Sequence, residues 1–161
     1  MKKYKDHTLQ DYLDVLSKKT PVPGGGSAAA LVAATGVALI LMVARYSKGR
    51  PKSKNVERKI QKIIAQGTAL LRRLVTLIDL DAQAYLNVVK SRQAGEKAKK
   101  TALAKAASVP REVCRLCYRG VDLLPYLVEM GNHHLISDIE VAAELLLAAF
   151  NAAVINVEVN S

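Results

Sequence analysis

The sequence predicts an all-α fold: a single-domain helical bundle, residues 1–161, organised around one long central helix. Three observations predict it. Apolar residues recur at three-to-four spacing through most of the chain. No segment keeps the alternation of a strand, and no hairpin signal such as Asn-Gly occurs. Aromatics are scarce, with one Phe, six Tyr and no Trp, so Ala, Leu and Val must fill the core. Small core residues suit close packing of helix on helix.

Each helix has its own signals. Thr8 can cap a first short helix with Asp11 as its capping-box partner, and Leu9, Tyr12, Leu13 and Leu16 supply the apolar face. Pro21, Pro23 and the triplet Gly24, Gly25 and Gly26 end it. Ser27 is the expected cap of a second helix reaching Ser47, with Ala29, Ala33, Gly36 and Ile40 on a small-residue face. The basic run 45–62, broken by Gly49 and Pro51, reads as a solvated loop leading into the next helix. From about Asn55 to Arg92 one period persists through Ile60, Ile64, Gly67, Leu71, Leu74, Ile78, Ala82, Tyr85 and Val89, which marks the spine of the bundle. Residues 93–100 are polar and expected to loop. A fourth helix follows over 101–119, with Pro110 expected to kink it. A fifth spans 121–130, with Pro125 near its start and Gly131 as its stop. Ser137 with Glu140 forms the expected capping box of the last helix, before the apolar run 141–157.

The formal charge of +10 favours anionic partners without naming one. Nucleic acid is disfavoured, because the basic stretch from Arg45 to Lys62 holds Tyr46 as its single aromatic and shows no recognition motif. An anionic small-molecule tail suits that stretch equally well. The uncharged segment 28–44 is long enough to span a bilayer, yet its Ala content and central Thr35 and Gly36 point to the middle of a bundle, so no membrane partner is expected. Tyr4 to His7 is polar where a signal peptide would turn apolar. Cys114 and Cys117 are spaced C-x-x-C on a helical pattern, without the further ligands of a zinc site or the βαβ setting of a redox motif. Ordinary thiols in a reducing, cytoplasmic compartment are expected.

Four features could carry chemistry. The run Pro23, Gly24, Gly25, Gly26 and Ser27 opens an apolar helix, where glycines permit close ligand approach and unpaired amides face outward. Asp79 and Asp81 lie on the central helix, and Asp81 borders its apolar stripe, so its carboxylate needs a partner or a task. In Asn132, His133, His134, Leu135, Ile136, Ser137 and Asp138 a polar loop meets a helix start that favours the charge of Asp138. The adjacent histidines lack the i, i+4 spacing of helical metal ligands, so no metal is expected. The basic stretch is the fourth.

These features occur in a recognisable order. The stretch TPVPGGGSAAA at 20–30 resembles the opening signature of the formiminotransferase-cyclodeaminase and methenyltetrahydrofolate cyclohydrolase family. DLDAQAY at 79–85 is similar to that family's central D-x-D-A-x-A-Y/F segment, and AASVP at 106–110 to its A-x-x-V-P turn. GNHHLISDIEVAAELLLAAFNAAVINVEVN at 131–160 resembles its G-N-x-x-x-x-S-D-x-x-V-A-A block and the N-V-x-x-N run beyond. The resemblance implies an all-α homodimer with a folate site in a cleft between helices, Asp138 and the loop Gly24–Ser27 at that site, and Asp81, Tyr85 and Asn132 near it. It further implies a folate one-carbon enzyme: a cyclohydrolase converting 5,10-methenyltetrahydrofolate to the 10-formyl form, or a cyclodeaminase releasing ammonia from the 5-formimino form; the alternative outside catalysis is a helical protein that only binds folate or nucleic acid. Asp138 is the expected acid–base group, with Asp81 as a second catalytic carboxylate and Ser137 and the glycine loop orienting the pterin. The substrate is expected to be a folate, in some cases polyglutamylated, and no cofactor is expected. Family members usually continue past the N-V-x-x-N run with one more helix, whereas this sequence stops at Ser161.

Overall fold

A computed structural model describes residues 3–49 and 53–160. Among the described residues, a 3₁₀ turn at Tyr4–Asp6 is followed by six α-helices: α1 (Leu9–Leu16), α2 (Gly25–Ser47), α3 (Lys54–Ser91), α4 (Glu96–Val121), α5 (Leu124–Met130) and α6 (Ile136–Val159). Among the described residues there is no strand.

Several boundaries move from where the sequence puts them. Thr8 caps α1 as expected, its Oγ1 accepting the Asp11 amide at 3.1 Å. Gly24, not Ser27, is the N-cap of α2. Ser27 already lies inside the first turn, and its hydroxyl pairs with Tyr12 at 3.0 Å. Ser53 caps α3, accepting the Val56 amide at 3.3 Å. α4 starts at Glu96, inside the stretch expected to loop, with Gly95 at φ 90° as its N-cap. Residues 96–100 are polar but good helix formers, so periodicity was silent where propensity was not. α4 continues through Pro110, so the segment resembling a turn lies inside a helix. The capping box at Ser137 does not form. α6 begins at Ile136 without a side-chain cap, after a 3₁₀ turn at His133–Leu135 that Asn132 caps, its Oδ1 accepting the His134 amide at 3.2 Å.

Helices α2, α3, α4 and α6 run up and down as neighbours, with α2 packed against the other three. α2 is long and apolar enough to cross a membrane, and 61% of that apolar window is buried inside the fold. Small residues set the helix spacing. Leu146 of α6 lies between Gly36 of α2 and Gly120 of α4, where an added Cβ would come within 3.1 and 3.0 Å of its side chain. Gly67 of α3 receives Leu41 in the same way, at 2.9 Å. On α3, Ile60, Leu74, Ile78 and Ala82 of the expected stripe are buried, whereas Tyr85 and Val89 emerge to 44% and 39% exposure. The stripe leaves the core where a cavity opens. Beyond the core, Arg73 of α3 makes a bidentate pair with Glu112 of α4 at 2.8 and 2.7 Å.

Cys114 and Cys117 are both free thiols. Burial pushes Cys117 up to about 12, so it is an inert core thiol.

Candidate functional site

Because α2 and α3 are antiparallel, the glycine turn at the start of α2 meets α3 near its C-terminal end. Asp81 is the residue it meets. The Asp81 carboxyl group lies directly on the backbone of Gly26: a Cβ there would sit 2.8 Å from Oδ2 and closer still to Cγ and Oδ1. Only glycine leaves that space. The Ser27 amide, in the first turn of α2, lies on the same side and favours the ionised form of the carboxylate. Burial raises the pKa of Asp81 above its ordinary value, and the Ser27 amide opposes that rise.

Asp81 borders a cavity of about 420 Å³. Gly24, Gly25 and Gly26 form one wall, and Asp81 and Tyr85 of α3 with Arg92 at its C-cap another. α4 adds Leu103 and Ala106, and α6 adds Asn156 and Val159, with Asn160 at its C-cap. Asn156 donates Nδ2 to the Ala152 carbonyl at 2.8 Å and stands opposite Gly25. Across Leu103 and Asn160 a second groove, of about 390 Å³, carries Lys99, Lys100 and Arg111. Among the described residues, none of these three cations, nor Arg92, has a carboxylate within 4.0 Å.

Asp79 faces elsewhere. Its Oδ1 accepts the Tyr4 amide at 2.6 Å and its buried Oδ2 has no hydrogen-bond partner. It borders a separate hollow of about 370 Å³ under the N-terminal turn. That hollow lacks the glycine wall and the helix-start amide that distinguish the Asp81 cavity.

The expected site residues divide into two groups. Gly24, Gly25, Gly26, Asp81 and Tyr85 line one cavity, with Ser27 buried beneath it and Pro23 buried beside it. Asn132, Ser137 and Asp138 lie at the other end of the bundle, where the Asn132 amide donates to Ser47 Oγ at 2.9 Å. At 1.5 Å per residue, Asp138 stands about 27 Å along α6 from Asn156. Within one chain, therefore, Asp138 does not face the glycine turn; the carboxylate there is Asp81. The basic stretch beginning at Arg45 also belongs to the far end, and its Arg50 and Lys52 lie outside the described residues. The cations near the cavity are those of α3 and α4.

Sequence reasoning passed over Tyr12, Arg92, Asn156 and Asn160 as site residues. The two asparagines are the ends of the N-V-x-x-N run. Amides spaced i, i+4 in an otherwise apolar helix were the available signal. His133 and His134 are exposed, and among the described residues no three His, Cys, Asp or Glu side chains cluster as a metal site.

A model of the family described as Formiminotransferase-cyclodeaminase matches residues 8–161. The chain belongs to this family. It is 34% identical to methenyltetrahydrofolate cyclohydrolase of Methylorubrum extorquens over 97% of this chain and 80% of that protein. It is 29% identical to formimidoyltransferase-cyclodeaminase of Rattus norvegicus, covering 96% of this chain but only 30% of the longer rat protein. A crystal structure of formiminotetrahydrofolate cyclodeaminase from Thermotoga maritima superposes with a TM-score of 0.93 at 31% identity, over 97% of this chain and 79% of that one. The all-α fold expected for a formiminotransferase-cyclodeaminase family member is thus present in this one.

Proposed function

We propose that the chain hydrolyses 5,10-methenyltetrahydrofolate to 10-formyltetrahydrofolate, with Asp81 as its acid–base group. The observation that carries this reading is the half-buried carboxylate held against Gly26 and the Ser27 amide at the edge of a cavity. The similarity to a methenyltetrahydrofolate cyclohydrolase over nearly the whole chain supports the substrate.

The methenyl bridge is a cation delocalised over N5, carbon and N10. Beside it, ionised Asp81 is favoured, which offsets the effect of burial. Water adds to the bridge carbon as Asp81 takes one of its protons. The carbon becomes tetrahedral, and the C–N5 bond then breaks as Asp81 returns that proton to N5. The remaining hydroxyl becomes the formyl carbonyl on N10 and its proton leaves to solvent, so a cation and water yield a neutral product and one proton. Asn156 and Asn160 offer amide groups to the pterin ring, and Tyr85 offers its face. Arg92, followed by Lys99, Lys100 and Arg111, gives the glutamate carboxylates of a folate a cationic path away from the reaction centre.

The chain acts as a homodimer in this proposal. Its α6 leaves Val141, Leu147 and Ile155 50%, 53% and 61% exposed, a degree of apolar exposure that a second copy would cover. A two-fold contact through antiparallel α6 helices would set the Asp138 end of one protomer beside the cavity of its partner. Asp138 then acts across the interface, as a second carboxylate near the cationic bridge.

In the test, methenyltetrahydrofolate absorbance falls faster with the protein present. Asp81→Asn abolishes the effect while circular dichroism shows the fold intact, and a wild-type rate in that variant refutes the assignment. Asp138→Asn in a dimer verified by light scattering reports on the cross-interface carboxylate. The similarity to the Thermotoga maritima cyclodeaminase favours a second reading at the same site, ring closure of 5-formiminotetrahydrofolate with loss of ammonia. An ammonia assay separates the two.

A further inference from the structure

We infer that Tyr12 is a positioning residue that sets Asp81 through Ser27. The inference rests on the role proposed for Asp81 and adds to it a group that never touches substrate.

Tyr12 is 4% exposed and Ser27 fully buried, and their oxygens lie 3.0 Å apart. Removing a buried hydroxyl's partner leaves it unpaired at a cost, so this pair holds its geometry. The residue whose side chain is held adjoins Gly26, on whose backbone the Asp81 carboxyl packs, and its own amide favours the ionised carboxylate. The need for a tether follows from the chain before it. Gly24, Gly25 and Gly26 have the widest backbone freedom of any residue, and a helix start supplies no upstream hydrogen bonds to restrain its first amides. Three glycines alone would let the Ser27 amide wander.

Tyr12 is itself braced. α1 is a short helix with Leu9 and Leu13 67% and 47% exposed, and Tyr12 is its buried anchor. The Tyr4 ring meets Tyr12 edge-on at 6.4 Å between centroids, and Tyr4 Oη donates to the Val22 carbonyl at 3.2 Å. Segment 4–22 thereby forms a strap behind the glycine turn. This also separates the roles of the two aspartates: Asp79 holds the strap through the Tyr4 amide, whereas Asp81 faces the cavity.

The titratable and charged groups sharing the cavity or its wall with Asp81 are Tyr12 from α1, Tyr85 from α3 and Arg92 at the C-cap of α3. α4 presents only aliphatic carbon, and α6 and its C-cap only Asn156, Val159 and Asn160, none of them charged. A hydrogen bond to the ionised form lowers a carboxyl pKa, so a loosened Ser27 amide lets that of Asp81 rise.

The test uses the full chain in Tyr12→Phe, Ser27→Ala and the double variant. Tyr12→Phe keeps the ring, and Ser27→Ala keeps the amide donor, so each removes the tether alone. Each is expected to lower kcat about tenfold with little change in KM. Each is also expected to move the acid limb of the rate profile to higher pH, and the double variant to lose no more than either single one. Carbon-13 NMR titration of the Asp81 carboxyl in substrate-free protein should show the same upward shift without reference to activity. Unchanged titration of Asp81 in both single variants overturns the inference, as does additive loss in the double variant. A fully active Asp81→Asn would instead overturn the proposed function, while the NMR shift still tests the tether.

Discussion

Replacing Gly26 with alanine tests the site through a single methyl group. The new Cβ would lie 2.8 Å from Asp81 Oδ2 and closer to the rest of the carboxyl, whereas ordinary contacts begin at 3.4 Å. Asp81 is the free end of a side chain, so it yields rather than the backbone, and must retreat by roughly 1 Å into the cavity. Overpacking of this kind costs about 1–3 kcal/mol, offset by about 1 kcal/mol because Ala is a better helix former than Gly in α2. The fold should therefore survive with a small loss of stability. The effect on catalysis is larger, since a misplacement of about 1 Å costs on the order of 100-fold in rate. Steady-state hydrolysis of methenyltetrahydrofolate, paired with thermal unfolding, measures both. Gly24→Ala is the structural comparison: an added Cβ there meets nothing within 4 Å, and its backbone is extended, so its stability should match wild type. Wild-type kcat in a folded Gly26→Ala protein would refute the contact between Asp81 and the glycine turn.

Asp81→Asn should raise the melting temperature at pH 7 even as it removes activity. The folded pKa of Asp81 is raised, so the protonated form stabilises the fold and that contribution is lost as pH rises through the folded value; the variant and wild-type curves should converge below about pH 4. A lower melting temperature for the variant at pH 7 would contradict that sign. Leu146→Ala should cost about 2–5 kcal/mol in chemical denaturation, because Gly36 and Gly120 have no side chains with which to fill the space. A loss under about 1 kcal/mol would mean the helices close over the gap. Lys99→Glu combined with Lys100→Glu should raise KM several-fold for substrates bearing extra glutamates, with little change in kcat. Equal KM values for short and long tails in both proteins would place the tail elsewhere.

Much of the fold was legible in the sequence because helices announce themselves locally. The cap at Thr8, the stop at Gly131 and the small-residue face of α2 each rest on residues within a turn or two of one another. The long period of α3 identified the spine, and the point at which Tyr85 and Val89 leave the core shows where the period stops describing burial. The start of α4 was missed because its first turn is polar, and the cap of α2 was misplaced because the helix already begins within the glycines. The site was legible in part. The glycine turn, Asp81 and Tyr85 line one cavity, whereas Asn132, Ser137 and Asp138 lie at the opposite end of the same chain.

What the sequence determined by itself was a set of helices, their apolar faces and the residue types able to do chemistry. Which of those residues meet was decided only in the tertiary structure. A motif at the start of a helix marks where amides are free, but helix direction decides what stands opposite them. Since α3 and α6 both run antiparallel to α2, the start of α2 meets Asp81 near the end of α3 and Asn156 near the end of α6, while the start of α6 is carried a full helix length away.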